Sequence, residues 1–344
     1  MSEPSLPSQR TRRGRLFRWS AGFVVLSAVA GYIVVQYDTG GSVGPGCKVV
    51  SDKGDGATYE FTPEQAVNAA TITAVGTARN LPERAVTIAL ATALQESTLR
   101  NIDYGDRDSL GLFQQRPSQG WGTPEEIMDP SYAADKFYEH LEEVPGYTRL
   151  PLTVAAQRVQ RSGFPQAYAK HEPDAALLAA ALTGRSAATL TCEGRPGTTR
   201  ASGADAVRAA LARDFGRDVL TPAGAEVGGP DTSSPSAGAA GGGEGGPGSG
   251  SDGDSLGGSD GRTVTLPVGE GDGAEAGRSA GARGWQLAHW AVANASELRI
   301  KRVSYAGREW TAGHSDSQWR PDDGKGSVDA GDGGAEAVRI TTVQ

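Results

Sequence analysis

The sequence predicts a mainly α chain. It reads as one N-terminal transmembrane helix, a helical domain over residues 47–216, a disordered Gly-rich linker and a small α+β C-terminal unit. Three observations predict this. Helix-start signatures recur between Thr62 and Pro173, each followed by an apolar run. Glycine is too abundant for one core of this length, at 49 of 344 residues with only 38% hydrophobic. An uncharged apolar stretch from Trp19 to Val35 follows a cluster of arginines.

The basic segment 1–18 carries Arg10, Arg12, Arg13, Arg15 and Arg18 against Glu3. Segment 19–36 then reads as an anchor at the short limit for a spanning helix, with the N-terminus in the cytoplasm by the positive-inside rule. Two alternatives stay open: a signal peptide cleaved after Ala28-Val29-Ala30, and a twin-arginine export signal around Arg12-Arg13. The first reading makes a single-pass cell-membrane protein, and cleavage would make a secreted one. All place the bulk of the chain outside the cytoplasmic membrane. The net charge is -8 although the N-terminus is basic, so the remainder is strongly acidic, which disfavours a nucleic-acid partner.

Residues 37–46 are a spacer. Cys47 and Cys192 are the two cysteines, and an oxidising compartment favours their pairing across one domain. Two unrelated thiols are the alternative. Thr62-Pro63-Glu64-Gln65 is a capping box that opens a helix to about Arg79. Pro82 opens the next, through Glu96. Thr123 to Glu126 is a second capping box, and Asp129-Pro130 begins a helix with Tyr132, Ala133, Phe137 and Leu141 near helical spacing. Further helices are predicted from Thr153, from Pro173 to Gly184, and from Ala204 to a stop at Gly216. Residues 217–282 read as linker, and 283–344 as a small module. Its helix runs from Trp285 to Leu298, with short strands at Lys301 to Tyr305, Glu309-Trp310 and Ala337 to Val343.

The chemistry centres on Glu96. The run from Arg84 to Ser97 has Ala, Val, Ile or Leu on every side, so it reads as a buried helix. A carboxyl at its C-terminal end loses water and faces the negative end of the helix dipole. Both favour a protonated Glu, which suits a general acid. A long irregular stretch follows, with Asp103, Tyr104, Asp106, Asp108 and Trp121 around the run Gly111-Leu112-Phe113-Gln114.

Glu96-Ser97 joined to that run resembles the lysozyme-like domain of the soluble lytic transglycosylases, the goose-type-like fold. In that family a Glu-Ser pair ends a buried helix, and a Gly-Leu-Met-Gln run lines the facing cleft; Phe113 stands where Met is usual. Asp129-Pro130 through Tyr138 looks like the family's Asn-Pro element. The resemblance covers roughly Thr62 to His171. It departs at Ala155-Ala156-Gln157, where the family has a Tyr that supports the catalytic Glu. Gln157, Gln160 or Tyr168 are the candidate replacements.

The resemblance implies a peptidoglycan-cleaving glycosidase, a lytic transglycosylase or muramidase, acting on the bond between N-acetylmuramic acid and N-acetylglucosamine. Glu96 would be acid and base. Substrate-binding candidates are Ser97, Tyr104, Gly111, Leu112, Phe113, Gln114, Trp121 and Tyr138. Asp103, Asp106 and Asp108 are candidate second acids for a hydrolase. Arg107 and Arg116 are candidates for carboxylates on the wall polymer. The four His share no ligand spacing, so neither a metal nor a cofactor is expected. The expected partners are peptidoglycan glycan strands and, through the N-terminal helix, the cytoplasmic membrane; no protein partner can be read. Two other classes remain: a non-catalytic glycan-binding module, and a structural component of an envelope secretion assembly.

Overall fold

Most helix starts written in the sequence are helix starts of the fold, although the helix read from Trp285 begins at Ala280. In the computed structural model, which describes residues 46–161, 165–194, 203–220, 261–269, 279–313, 318–322 and 337–343, Thr62 caps helix α1 (Pro63–Ala78). Its backbone N–H donates to Gln65 Oε1 at 2.7 Å, and its hydroxyl accepts from the Gln65 N–H at 3.3 Å. The same reciprocal pair, Thr123 and Glu126, opens the single turn α3 (Pro124–Ile127). Asp129 caps α4 (Pro130–Glu142) by accepting from Ser131 N at 2.8 Å. Helix α2 (Glu83–Ser97) lies between α1 and α4 in sequence order and is buried from Ala85 to Leu94. Then come α5 (Leu152–Gln160), α6 (Glu172–Leu182) and α7 (Ala204–Phe215). Helix α5 begins at Leu152 behind Pro151, so Thr153 lies inside it and does not cap it.

The mainly α expectation is overturned. About half of the described residues are helical, and the rest of the regular structure is two antiparallel sheets. One has three strands in the order β2-β1-β3: β1 (Cys47–Val50), β2 (Thr58–Phe61) and β3 (Leu190–Cys192). These are too short to show a period of two, and β3 reaches β1 only through a long-range pairing. Cys47 lies opposite Cys192 in that register, and the two form a disulfide. The chain-entropy model assigns a loop of this length roughly 4–5 kcal/mol.

The second sheet has the order β4-β8-β5-β6-β7: β4 (Thr263–Pro267), β5 (Ile300–Tyr305), β6 (Arg308–Thr311), β7 (Arg320–Pro321) and β8 (Ala337–Thr342). Strand β4 falls inside the stretch 217–282 that composition marked as linker. Its Val264 and Leu266 are buried, and it pairs with β8 along its whole length. The Gly, Ser and Asp around it masked a five-residue alternating pattern.

Helix α8 (Ala280–Ala293) packs on β5 and β8 but also on α1, α6 and β3. One apolar core runs through both halves of the sequence. Close approach is built in at Gly184, where a Cβ would stand 1.8 Å from Ala282 O and φ is +78°. Polar contacts lock the same junction. The buried Asp214 carboxylate accepts from Trp290 Nε1 at 2.8 Å, from Thr71 Oγ1 at 3.2 Å and from Arg213 Nε at 2.8 Å. Gln286 Nε2 donates to Thr77 Oγ1 at 2.6 Å. Trp319 and Trp310 donate their indole N–H groups to Leu190 O and Cys192 O, at 2.9 and 3.1 Å.

The basic segment 1–18, the segment 19–36 read as an anchor, nearly all of spacer 37–46 and residues 221–260 lie outside the described residues. No helix among the described residues is long and apolar enough to cross a membrane.

Two outcomes follow from this packing. A chain ending at residue 220 leaves the Asp214 carboxylate and the inner faces of α1 and α6 uncovered, so scanning calorimetry should show no cooperative melting where the full chain melts sharply. The second concerns His289, fully buried with Nδ1 2.7 Å from Ala181 O and its pKa pushed down to about 4 by desolvation. The unfolded chain takes up this proton below pH ~6.5, and the folded chain does not until about pH 4. Stability should therefore fall as pH drops through that window, by roughly 3 kcal/mol in all. Melting temperatures of His289→Gln should decline less steeply over the same range.

Candidate functional site

Burial of α2 brings Glu96 to the end of a helix that has no solvent face upstream. The helix stops at Thr98, which turns left-handed at φ +57°. Glu96 is half-buried, and Tyr168 donates its hydroxyl to Glu96 Oε1 at 2.6 Å. Tyr168 belongs to a 3₁₀ turn over Pro165–His171, and its ring is fully buried. Gln160, the last residue of α5, donates Nε2 to Phe113 O at 2.7 Å and also hydrogen-bonds the Glu96 carboxyl. Desolvation raises the Glu96 pKa above the usual carboxyl value; the hydrogen bonds from Tyr168 and Gln160 favour the anion and oppose it. Desolvation dominates. Of the three candidate replacements for the family's Tyr, Tyr168 and Gln160 both reach Glu96.

The facing loop is built around Gly111 to Gln114. Leu110 and Gln115 close it with paired backbone hydrogen bonds of 2.9 and 3.0 Å. Gly111 has φ +73°, and a Cβ there would meet Ile127 O at 2.7 Å, so only glycine fits. Gln114 takes φ +49°, uncommon for a residue with a side chain and costing about 1 kcal/mol. Ser97 ties the loop to the helix: its hydroxyl is 2.8 Å from Leu112 O and 3.1 Å from Ala93 O. It positions the loop, and its hydroxyl bonds these carbonyls and not the Glu96 carboxyl.

Several expected ligand contacts are corrected. Leu112, Phe113 and Tyr138 are fully buried and cannot touch a glycan. Phe113 stacks on Phe137 with ring centroids 4.6 Å apart, and the Tyr138 hydroxyl donates to Ile72 O at 3.0 Å. Helical packing claims these rings because α4 lies against α1, where Gly76 makes room for Tyr138. Gly111 is buried too. Gln114 spends its amide on Tyr104 O and Gly111 O, both at 3.3 Å, which braces the loop. Tyr104 is 64% exposed and Trp121 is half-buried, so both remain able to meet a sugar face.

Among the candidate second acids, Asp108 is committed elsewhere. Hydrogen bonds from the Ser118 side chain, from Ser118 N at 2.9 Å and from Arg116 Nε at 2.8 Å hold its carboxyl far below the usual range. The same pair removes Arg116 as a ligand for wall carboxylates. Asp103, Asp106 and Arg107 lie on the exposed part of the loop. No group of His, Cys, Asp and Glu among the described residues could hold a metal ion.

Beside Glu96 opens a cleft of about 740 Å³ between the end of α4, the end of α5 and the loop 119–121. Gln160 lines it and separates it from Glu96. The rings of Trp121 and His140, 4.3 Å apart at their centroids, form one side. Arg158 and Arg161 also line the cleft. His140, Arg158 and Arg161 carry no local signal as ligand contacts, because only the packing of α4 against α5 puts them around one space.

A family model described as VldE, C-terminal domain, matches residues 250–332. That stretch takes in β4, α8 and β5 to β7, about a quarter of the chain, and none of the residues around Glu96. No curated protein matches the chain.

The Glu96 geometry carries its own test. Tyr168→Phe removes a bond that favours the carboxylate, so the Glu96 pKa should rise further. Carboxyl-carbon NMR titration of the variant against the unaltered chain reads this directly; a fall or no change would contradict the assigned hydrogen bond.

Proposed function

We propose that the protein cleaves the glycan strands of peptidoglycan, with Glu96 as both acid and base. The observation that carries this reading is the setting of Glu96. It is a desolvated carboxyl at the end of a buried helix, held by Tyr168 and by Gln160, which also lines an open cleft. Protonated Glu96 gives its proton to the glycosidic oxygen as the C–O bond breaks. The 2-acetamido oxygen of the cleaved sugar then shares the positive charge at C1. Glu96, now a carboxylate, takes the proton of the sugar's 6-hydroxyl as that oxygen closes on C1. A 1,6-anhydro end results, and Glu96 is protonated again.

This route needs no second enzymic carboxylate, which suits a site whose Asp108 is tied to Arg116 and Ser118. Hydrolysis would need an acid to activate water. The reading calls for an extracytoplasmic location, and the Cys47–Cys192 disulfide suits an oxidising compartment.

Purified sacculi incubated with the full chain should release soluble muropeptides whose mass spectra show anhydro ends. Glu96→Gln should lower release by at least about 100-fold, the range expected for a lost general acid. Reducing ends would turn the assignment to a hydrolase. Tight binding with no release would make the protein a glycan-binding module.

A further inference from the structure

We propose that the cleft beside Glu96 is a subsite for a carboxylate-bearing sugar, with Arg158 and Arg161 taking the carboxylate and Trp121 taking the sugar face. The inference deepens the glycan-cleavage reading and rests on it for the identity of the polymer.

The charge balance of the cleft points to an anion. Arg158 stands in the last turn of α5, Arg161 is the residue that ends it, and both line the cleft. Both are exposed, and neither guanidinium has a hydrogen-bond or ion-pair partner among the described residues. Among the described residues the one acid lining the space is Glu143, whose Oε2 stands 3.7 Å from His140 Nδ1. Two guanidiniums therefore face one carboxylate that already has a neighbour. Guanidinium recognises carboxylate through paired, charge-assisted hydrogen bonds.

The backbone adds a reason for the placement. Arg161 ends α5 in a left-handed conformation at φ +52°, which turns the chain sharply at the cleft rim. Gln160, between the two arginines, reaches Phe113 O and Glu96. Gln160 therefore joins the cleft to Glu96. On a wall glycan a carboxylate has two sources: the lactyl group of a muramic unit stripped of its peptide, and the peptide stem itself. The two share the chemistry the arginines would read.

Binding tests the proposal apart from turnover. The full-length Glu96→Gln protein would be titrated by calorimetry with three glycans of similar length. These are a neutral N-acetylglucosamine oligomer, peptide-free peptidoglycan strands with lactyl carboxylates, and strands with intact stems. One or both acidic glycans should bind about 10-fold more tightly than the neutral one, with the advantage shrinking as salt rises. The arm that binds tightest names the source. Arg158→Ala with Arg161→Ala should bring the acidic glycans down to the affinity of the neutral one. Arg158→Lys with Arg161→Lys should keep part of it. Equal affinity for all three glycans, or a preference that survives the alanine pair, overturns the subsite. If the unaltered chain releases nothing from sacculi while the preference stands, the cleavage reading fails and the subsite survives.

Discussion

Every residue from Ala85 to Leu94 of α2 is buried, and the chemistry of the site depends on that one fact. A helix without a solvent face must end at the edge of the core, and the first ionisable group past that edge is partly stripped of water. Glu96 holds that position. Its charged form loses solvation that Tyr168 and Gln160 return only in part, so its proton is held more tightly than an exposed carboxyl would hold it. The same burial lets Ser97 reach Leu112 O, so helix end and loop are placed by one packing event.

The C-terminal half takes part in that packing. Edge strand β3 offers the carbonyls of Leu190 and Cys192, and two indoles from the second sheet's side of the molecule satisfy them. The Asp214 carboxylate accepts hydrogen bonds from α1, α7 and α8 side chains, which couples three helices through one buried charge. Removing any donor leaves that charge less compensated in a dry setting, which is more damaging than losing an apolar contact of similar size.

The legible parts of the chain were those with local causes. Thr62 and Thr123 signal their capping boxes within four residues, and the apolar run before Glu96 signals burial within fourteen. The short strands of the second sheet at Ile300, Arg308 and Ala337 were also readable, from β-branched and aromatic residues in small clusters. The first sheet was not, because strands of three and four residues carry no period and β3 meets its partner across almost the whole domain. Strand β4 was hidden by its neighbours' composition.

Residue types and spacing alone determined where the capped helices start, which helix is buried, and that Glu96 lies in its last turn; these follow from interactions within a few positions of the chain. Only the tertiary structure decided which aromatic rings are core and which face a cleft. It decided too that Asp108 is clasped by Arg116, that Tyr168 reaches Glu96 from 72 residues away, and that Arg158 and Arg161 share a space with Trp121. The reason is that a side chain's chemistry depends on the water and charge around it. In a folded chain those neighbours come from elements far apart in sequence.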